Sequence, residues 1–179
     1  GLLFGMHLID IAEALSQRYR GPRGRLRIVK GLNHATIIDD TYNAAPLSTQ
    51  LALETLRDIQ ASRRIAILGD MLELGEHTIS AHQAIGNLAA QVADVCIFVG
   101  ARMKFAYEAA LNQKPKERLF WFDTSVSAVD AVAGMLQAGD VAVVKGSQGV
   151  RMERIVAGIL AEPAQAPHLL VRQSATWLA

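Results

Sequence analysis

Apolar positions along this chain alternate between two patterns. Residues 35–40, 64–68, 95–99 and 141–144 form short apolar runs of strand length, and 119–122 and 169–172 carry weaker versions. Such runs are apolar on consecutive positions, as parallel strands covered by helices on both sides must be. Between them apolar residues recur at helical spacing over 48–59, 80–92, 103–111, 125–136 and 152–160. In the first of these, Leu51, Leu53, Leu56 and Ile59 supply the apolar positions, and Ser48 after Pro46 is expected to cap the helix. A further helix is expected over 7–19, with Leu8, Ile11, Ala12 and Leu15 on one face, followed by a basic, turn-rich linker over 20–25. The alternation predicts an α/β fold: an open, mostly parallel sheet with helices on both faces and ligands at the carboxyl ends of its strands.

Composition narrows the function classes. With 179 residues, 51% of them hydrophobic and 20% charged, the chain buries a core and is the size of one domain. Eighteen Lys and Arg against 17 Asp and Glu, a net charge of +1, exclude a strong electrostatic footprint for nucleic acid or an acidic membrane. No apolar run approaches the ~20 residues of a membrane span. Leu2-Leu3-Phe4 is too short for a secretory signal and lacks a basic flank. A single cysteine, Cys96, allows no internal disulfide and suits a reducing cytosol. The chain opens on Gly1 instead of Met, so a piece of something longer is expected. Arg18, Arg20, Arg23, Arg25, Arg27 and Lys30 crowd one short stretch. They read either as a solvated hinge or as the source of an arginine that reaches a phosphate across a cleft.

Four polar clusters fall at expected strand ends. Asp39-Asp40-Thr-Tyr-Asn-Ala-Ala-Pro46 pairs two carboxylates that suit either a divalent cation or ribose hydroxyls, although a turn rich in Asp, Asn and Pro explains the same residues. Gly69-Asp-Met-Leu-Glu-Leu-Gly75 brackets two acids with glycines, as a loop beside a ligand or as an ordinary strand-to-helix turn ending at Glu76. Val99-Gly-Ala-Arg102 is the least specific and reads as structural. Lys145-Gly-Ser-Gln-Gly149 opens a helix and offers backbone N–H groups and a cation to a phosphate or carboxylate. Neither a G-x-x-x-x-G-K-[ST] nor a G-x-G-x-x-G pattern occurs. The five histidines show no metal-ligand spacing, Cys96 reads as core, and Trp121 and Phe122 as sheet packing.

Taken in order, Asp-Asp-Thr-Tyr-Asn-Ala-Ala-Pro, Gly-Asp-Met-Leu-Glu-Leu-Gly and Val-Lys-Gly-Ser-Gln-Gly-Val-Arg-Met-Glu resemble the C-terminal domain of the Mur ligase family, in its D-alanyl-D-alanine-adding branch. The closing Leu170-Val-Arg-Gln173 and Trp177 resemble that branch too. The resemblance covers about residues 24–179 and likens 1–23 to the last helix of the family's central ATPase domain and its linker. It implies a Rossmann-like domain, the third of three, in a cytoplasmic ATP-dependent ligase of peptidoglycan precursor synthesis. Its substrates would be UDP-MurNAc-tripeptide and D-alanyl-D-alanine, joined through an acyl phosphate. The missing P-loop and the Mg²⁺ ligands would lie in the central domain, with the UDP-sugar in the N-terminal one, so this chain alone is expected to be inactive.

Matched residue by residue, Arg25 is implied to reach the phosphates of ATP. Asp40, with Asp39 as second choice, is implied to take the ribose hydroxyls, with Tyr42 and Asn43 on the adenosine side. Lys145, Gly146, Ser147 and Gln148 match the loop that holds the acceptor's carboxylate, and Asp70 and Glu73 a loop that grips the dipeptide amine. No metal ligand is implied in this domain. Two positions depart from the family pattern: Ala45 stands where Asn is usual and Gln148 where Arg is frequent, and a neutral amide binds a carboxylate more weakly than a guanidinium. The alternatives are a sister ligase that adds an amino acid or extends a folate, a phospho-receiver module using Asp39, Asp40, Asp70 and Lys145, and a nucleotide-binding domain without catalysis. A diaminopimelate-adding enzyme would carry Asp-Asn-Pro-Arg, which this chain lacks.

Overall fold

The computed structural model describes residues 21–178, together with Gly5, residues 7–10 and Glu13. The helix expected over 7–19, and Arg18 and Arg20 of the linker, therefore lie largely outside the described residues. Six strands form one sheet in the order β1-β2-β6-β3-β4-β5. They are β1 (Arg27–Lys30), β2 (Thr36–Asp40), β3 (Arg63–Gly69), β4 (Val95–Val99), β5 (Leu119–Phe122) and β6 (Asp140–Lys145). All neighbours pair in parallel except β1, which runs antiparallel to β2. The longer helices are α1 (Pro46–Asp58), α2 (Thr78–Val92), α3 (Met103–Ala110), α4 (Ser125–Met135) and α5 (Glu153–Ile159), followed by the single turns α6 (Ala166–Leu169) and α7 (Ala175–Leu178).

Side chains alternate across the pleat, so each strand feeds two cores. Ala66, Leu68, Cys96, Phe98 and Val143 pack with Leu53, Leu56, Ile85, Ala89, Met103 and Ala106 of α1, α2 and α3. Ile37, Ile65, Ile67, Ile97 and Val144 pack on the other face with Ala128, Val132, Ile155 and Val156 of α4 and α5. Each fully buried Leu, Ile or Phe contributes about 1.5–3 kcal/mol relative to exposure. Cys96 is one of these core groups, and burial pushes its thiol up to about 12, so it stays a protonated apolar filler. Opposite the site, Arg63 grips the fully buried Asp140 through two hydrogen bonds of 3.0 and 2.6 Å and so ties β3 to β6 at their first residues.

Two local expectations need correction, and one strand was not expected at all. Residues 27–30 form an edge strand that the apolar pattern does not reveal, because only Val29 among them is buried. Residues 169–172 are not a strand: α6 ends at Leu169, and Leu170 turns into the α4–α5 core where β1 already holds the sheet edge. Helix α1 begins at Pro46, so Ser48 is its third residue and not its cap. The Ser48 hydroxyl reaches back to accept the Ala45 N–H at 3.1 Å.

Candidate functional site

Strand order decides which polar clusters meet. β6 lies between β2 and β3, so the loops after these three strands leave the same end of the sheet side by side. The register sets Asp40 directly beside Lys145. Lys145, 3% exposed, donates from Nζ to Asp40 Oδ2 at 2.6 Å and to the Asn43 carbonyl at 2.9 Å. Asp40 Oδ1 accepts the Leu26 N–H at 3.1 Å, which ties the β2 end to the entry of β1. Each carboxylate oxygen thereby keeps a lone pair for a further donor.

A cleft of about 360 Å³ opens on this pair, lined by Arg25, Asp40, Tyr42, Asn43, Leu51 and Lys145 among others. The Arg25 guanidinium lies 4.1 Å from the centre of the Tyr42 ring, a cation–π stack that holds the charge at the cleft. Arg25, Asp40, Tyr42 and Asn43 thus line one cleft, and Asp39 does not join them. The pleat turns Asp39 to the other face, beside Ile37, where it is fully buried. Its Oδ1 accepts the Thr41 N–H at 3.2 Å and the Thr41 hydroxyl at 2.6 Å, while Oδ2 finds no partner among the described residues. Burial pushes the Asp39 carboxyl up from its ordinary value, against the lowering effect of the Thr41 hydrogen bonds.

The loop after β6 works inward. Ser147, 4% exposed, donates its hydroxyl to the Ala44 carbonyl at 3.2 Å and accepts the Leu72 N–H at 2.9 Å, and its own N–H reaches the Asp70 carbonyl at 3.0 Å. Gly69 and Gly146 approach so closely around Met152 that a Cβ on either would lie within 2.8 Å of that side chain. Lys145, Gly146 and Ser147 therefore weld the three loops together, while Gln148 is exposed at the start of a short turn. Glu73 is exposed in a left-handed conformation, φ 65°.

Asp70 Oδ1 accepts the Met103 N–H at 2.7 Å at the start of α3, and Oδ2 stands 3.5 Å from Arg102. Gly100 is required beside it, since φ is +110° there and a Cβ would lie 2.6 Å from the carboxylate. The Val99–Arg102 cluster is thus the seat of Asp70. A second hollow, about 400 Å³, is bounded by Asp70, Arg102, Asp123, Arg151 and Arg154.

His82 of α2 locks the Gly69–Gly75 loop from below. It is fully buried; Met71 donates its N–H to Nε2 at 3.1 Å, so Nδ1 carries the proton and donates to the Thr78 carbonyl at 2.6 Å. Burial lowers its pKa, against the raising effect of the Thr78 bond and the Asp70 charge. A histidine held neutral in the fold supports stability above its ordinary value near 6.5, and that support is lost as pH falls below it, because the unfolded chain then binds the extra proton. Urea midpoints measured from pH 7.5 to 5 are expected to fall, and His82→Gln to flatten part of that slope.

Ala45, one of the two departures, is the N-cap of α1 in an extended conformation (φ −136°, ψ 160°) with no side-chain acceptor. Ala45→Asn is expected to raise stability by about 0.5–2 kcal/mol, read as a higher urea midpoint. The apolar and motif patterns missed a charge network centred on Glu153. Glu153, 1% exposed, is held by Arg151 and by Arg172 of the C-terminal segment. Among the described residues no group of three or more His, Cys, Asp and Glu is gathered to hold a metal ion, and no helix is long and apolar enough to cross a membrane.

The profile of the Mur ligase glutamate ligase domain matches residues 24–148. This chain belongs to the Mur ligase family. A UDP-N-acetylmuramoyl-tripeptide–D-alanyl-D-alanine ligase of Bacillus subtilis is 29% identical over 165 residues, which is 91% of this chain and 36% of that protein. The Haemophilus influenzae ligase of the same name is 30% identical over 155 residues, 85% and 33% of the two chains. The crystal structure of MurF from Acinetobacter baumannii superposes with a TM-score of 0.72 at 29% identity, covering 87% of this chain and 34% of that one. The Thermotoga maritima MurF–ADP complex gives 0.68 at 25%, covering 84% and 32%. This Mur ligase chain spans about a third of the length of these relatives. Its mixed, mostly parallel six-stranded sheet is the fold of that family's C-terminal domain. The match displaces the phospho-receiver alternative.

Proposed function

We propose that residues 24–179 are the C-terminal domain of a cytoplasmic, ATP-dependent amide ligase that joins D-alanyl-D-alanine to UDP-MurNAc-tripeptide, and that residues 1–23 are the end of its central domain and the linker. The observation that carries this reading is the convergence of Arg25, Asp40, Tyr42 and Asn43 on one cleft at the carboxyl ends of β2 and β6. In an open α/β sheet that is where a nucleotide binds. The Thermotoga maritima relative was crystallised with ADP, in keeping with this reading.

In the reaction, the terminal carboxylate of the tripeptide attacks the γ-phosphorus of ATP, and ADP leaves from an acyl phosphate. The neutral amine of the dipeptide then attacks the acyl carbon. The tetrahedral intermediate expels inorganic phosphate, and the amide nitrogen releases its proton. This chain's share is alignment and charge neutralisation. The free lone pairs of Asp40 accept ribose hydroxyls, Tyr42 and Asn43 border the adenosine, and Arg25 extends its guanidinium toward the phosphates. Lys145 balances the Asp40 charge, and Ser147 fixes the relative placement of the loops. Asp70 and Arg102 place charged groups at the second hollow, on the acceptor's side, with the exposed Glu73 and Gln148 next in sequence to Leu72 and Gly149 of its lining. Mg²⁺, when bound, shields the charge of the phosphates and belongs to the rest of the protein.

The test is phosphate release from ATP by the full-length protein with UDP-MurNAc-tripeptide, comparing D-alanyl-D-alanine with D-alanine, L-lysine and diaminopimelate. Release is expected only with the dipeptide. Asp40→Asn is expected to raise the KM for ATP about 10–100-fold, the loss of one charged hydrogen bond, and Asp39→Asn to leave it nearly unchanged. Release with a single amino acid would make this a sister ligase, and none with any acceptor a domain that binds without reacting. Residues 1–179 alone are expected to release no phosphate.

A further inference from the structure

The C-terminal segment reaches the cleft through one side chain. The Arg172 side chain, 6% exposed, donates from Nη1 to the Thr41 carbonyl at 3.0 Å and to Glu153 Oε2 at 3.0 Å, and from Nη2 to the Tyr42 carbonyl at 2.6 Å. β2 ends at Asp40, so these two carbonyls lie beyond the sheet ladder and need a donor from elsewhere. A planar guanidinium meets two adjacent carbonyls and a carboxylate at once, and an ammonium on a flexible stem does not. The other Glu153 oxygen is taken by Arg151 Nε at 2.5 Å, so the buried carboxylate anchors Arg172 from behind. Arg172 itself sits at φ 55°, in the left-handed region, and its guanidinium lies 6.0 Å from the Tyr42 ring centre, with Arg25 4.1 Å from that centre.

We infer that Arg172 is a positioning residue for the nucleotide-side loop: it fixes the Thr41–Tyr42 backbone, and through it the Tyr42 ring and the stacked Arg25, with Glu153 as its counter-ion. The inference rests on the nucleotide reading of the cleft. It assigns the C-terminal segment a part in ATP affinity, although that segment lies 130 residues away in sequence from Tyr42.

The discriminating variant is Arg172→Lys in the full-length protein. It keeps a cation against Glu153, so folding is preserved, and gives up the second arm of the fork. Arg172→Ala leaves Glu153 with one partner and serves as the extreme case. Phosphate release would be followed with ATP and D-alanyl-D-alanine varied separately, and exchange of the Tyr42 amide would be measured in parallel. Arg172→Lys is expected to raise the KM for ATP about 10-fold, the value of a hydrogen bond to a charged group. kcat and the KM for the dipeptide should stay nearly unchanged, and the Tyr42 amide, which donates to the Gly24 carbonyl, should exchange faster. An unchanged KM for ATP, or an equal rise for every substrate, overturns the inference. Failure of ATP to saturate the wild-type protein overturns the underlying nucleotide reading instead, and Tyr42 amide exchange unchanged in Arg172→Lys then rejects Arg172's hold on the loop as well.

Discussion

Replacing Lys145 by Met is expected to cost about 3–5 kcal/mol of folding stability, the usual loss when one partner of a buried ion pair is removed. Lys145 and Asp40 are both nearly inaccessible, and their 2.6 Å contact joins neighbouring strands at matched register. With Met at 145 the Asp40 carboxylate keeps only the Leu26 N–H, and the Asn43 carbonyl loses its donor. For a chain of this length the loss corresponds to a fall in Tm of roughly 6–20 °C. The double variant Asp40→Asn with Lys145→Met leaves no orphan charge and is expected to recover part of the loss. Urea denaturation of the four proteins gives the coupling directly. A loss below about 1 kcal/mol in the single variant would mean that water reaches the pair and that Lys145 is available to a ligand.

Gly86→Ala is expected to damage the fold about as severely. Gly86 lies where α2 crosses α3, and a Cβ there would meet the Ala106 carbonyl oxygen at 2.1 Å and its carbon at 2.6 Å. These are backbone atoms, so no rotamer change relieves the overlap and the helices must move apart. Overpacking of this kind costs about 1–3 kcal/mol even where side chains yield, and more is expected here. The damage also spreads to the site. His82 stands one helical turn before Gly86, and its bond to the Met71 N–H is what holds the loop carrying Asp70. Gly134→Ala is the control: it lies in α4, a Cβ there meets nothing within 4 Å, and it is expected to gain about 0.4–1 kcal/mol. Thermal melts of both variants check the contrast, and a Gly86→Ala protein as stable as the wild type would refute it.

The apolar runs of β2, β3, β4 and β6 were legible because a strand covered on both faces admits no polar position in its middle. β1 was not, since an edge strand with one buried residue has the pattern of a loop. The apolar character of 169–172 reported burial correctly and conformation wrongly: Leu170 fills the core from a loop.

The same division runs through the candidate site. The sequence alone determined the alternation of strands and helices, the polar clusters at strand ends, the absence of a P-loop and the family resemblance, because these depend on local spacing. Tertiary structure decided that β6 enters between β2 and β3 and thereby sets Lys145 against Asp40. It decided through the pleat that Asp40 and not Asp39 faces the cleft, and it spent Ser147 and Asp70 on neighbouring loops. It also brought Arg172 to Tyr42 across 130 residues of chain. Strand order and long-range partners follow from how the whole core packs at once, and no local window of sequence contains that information.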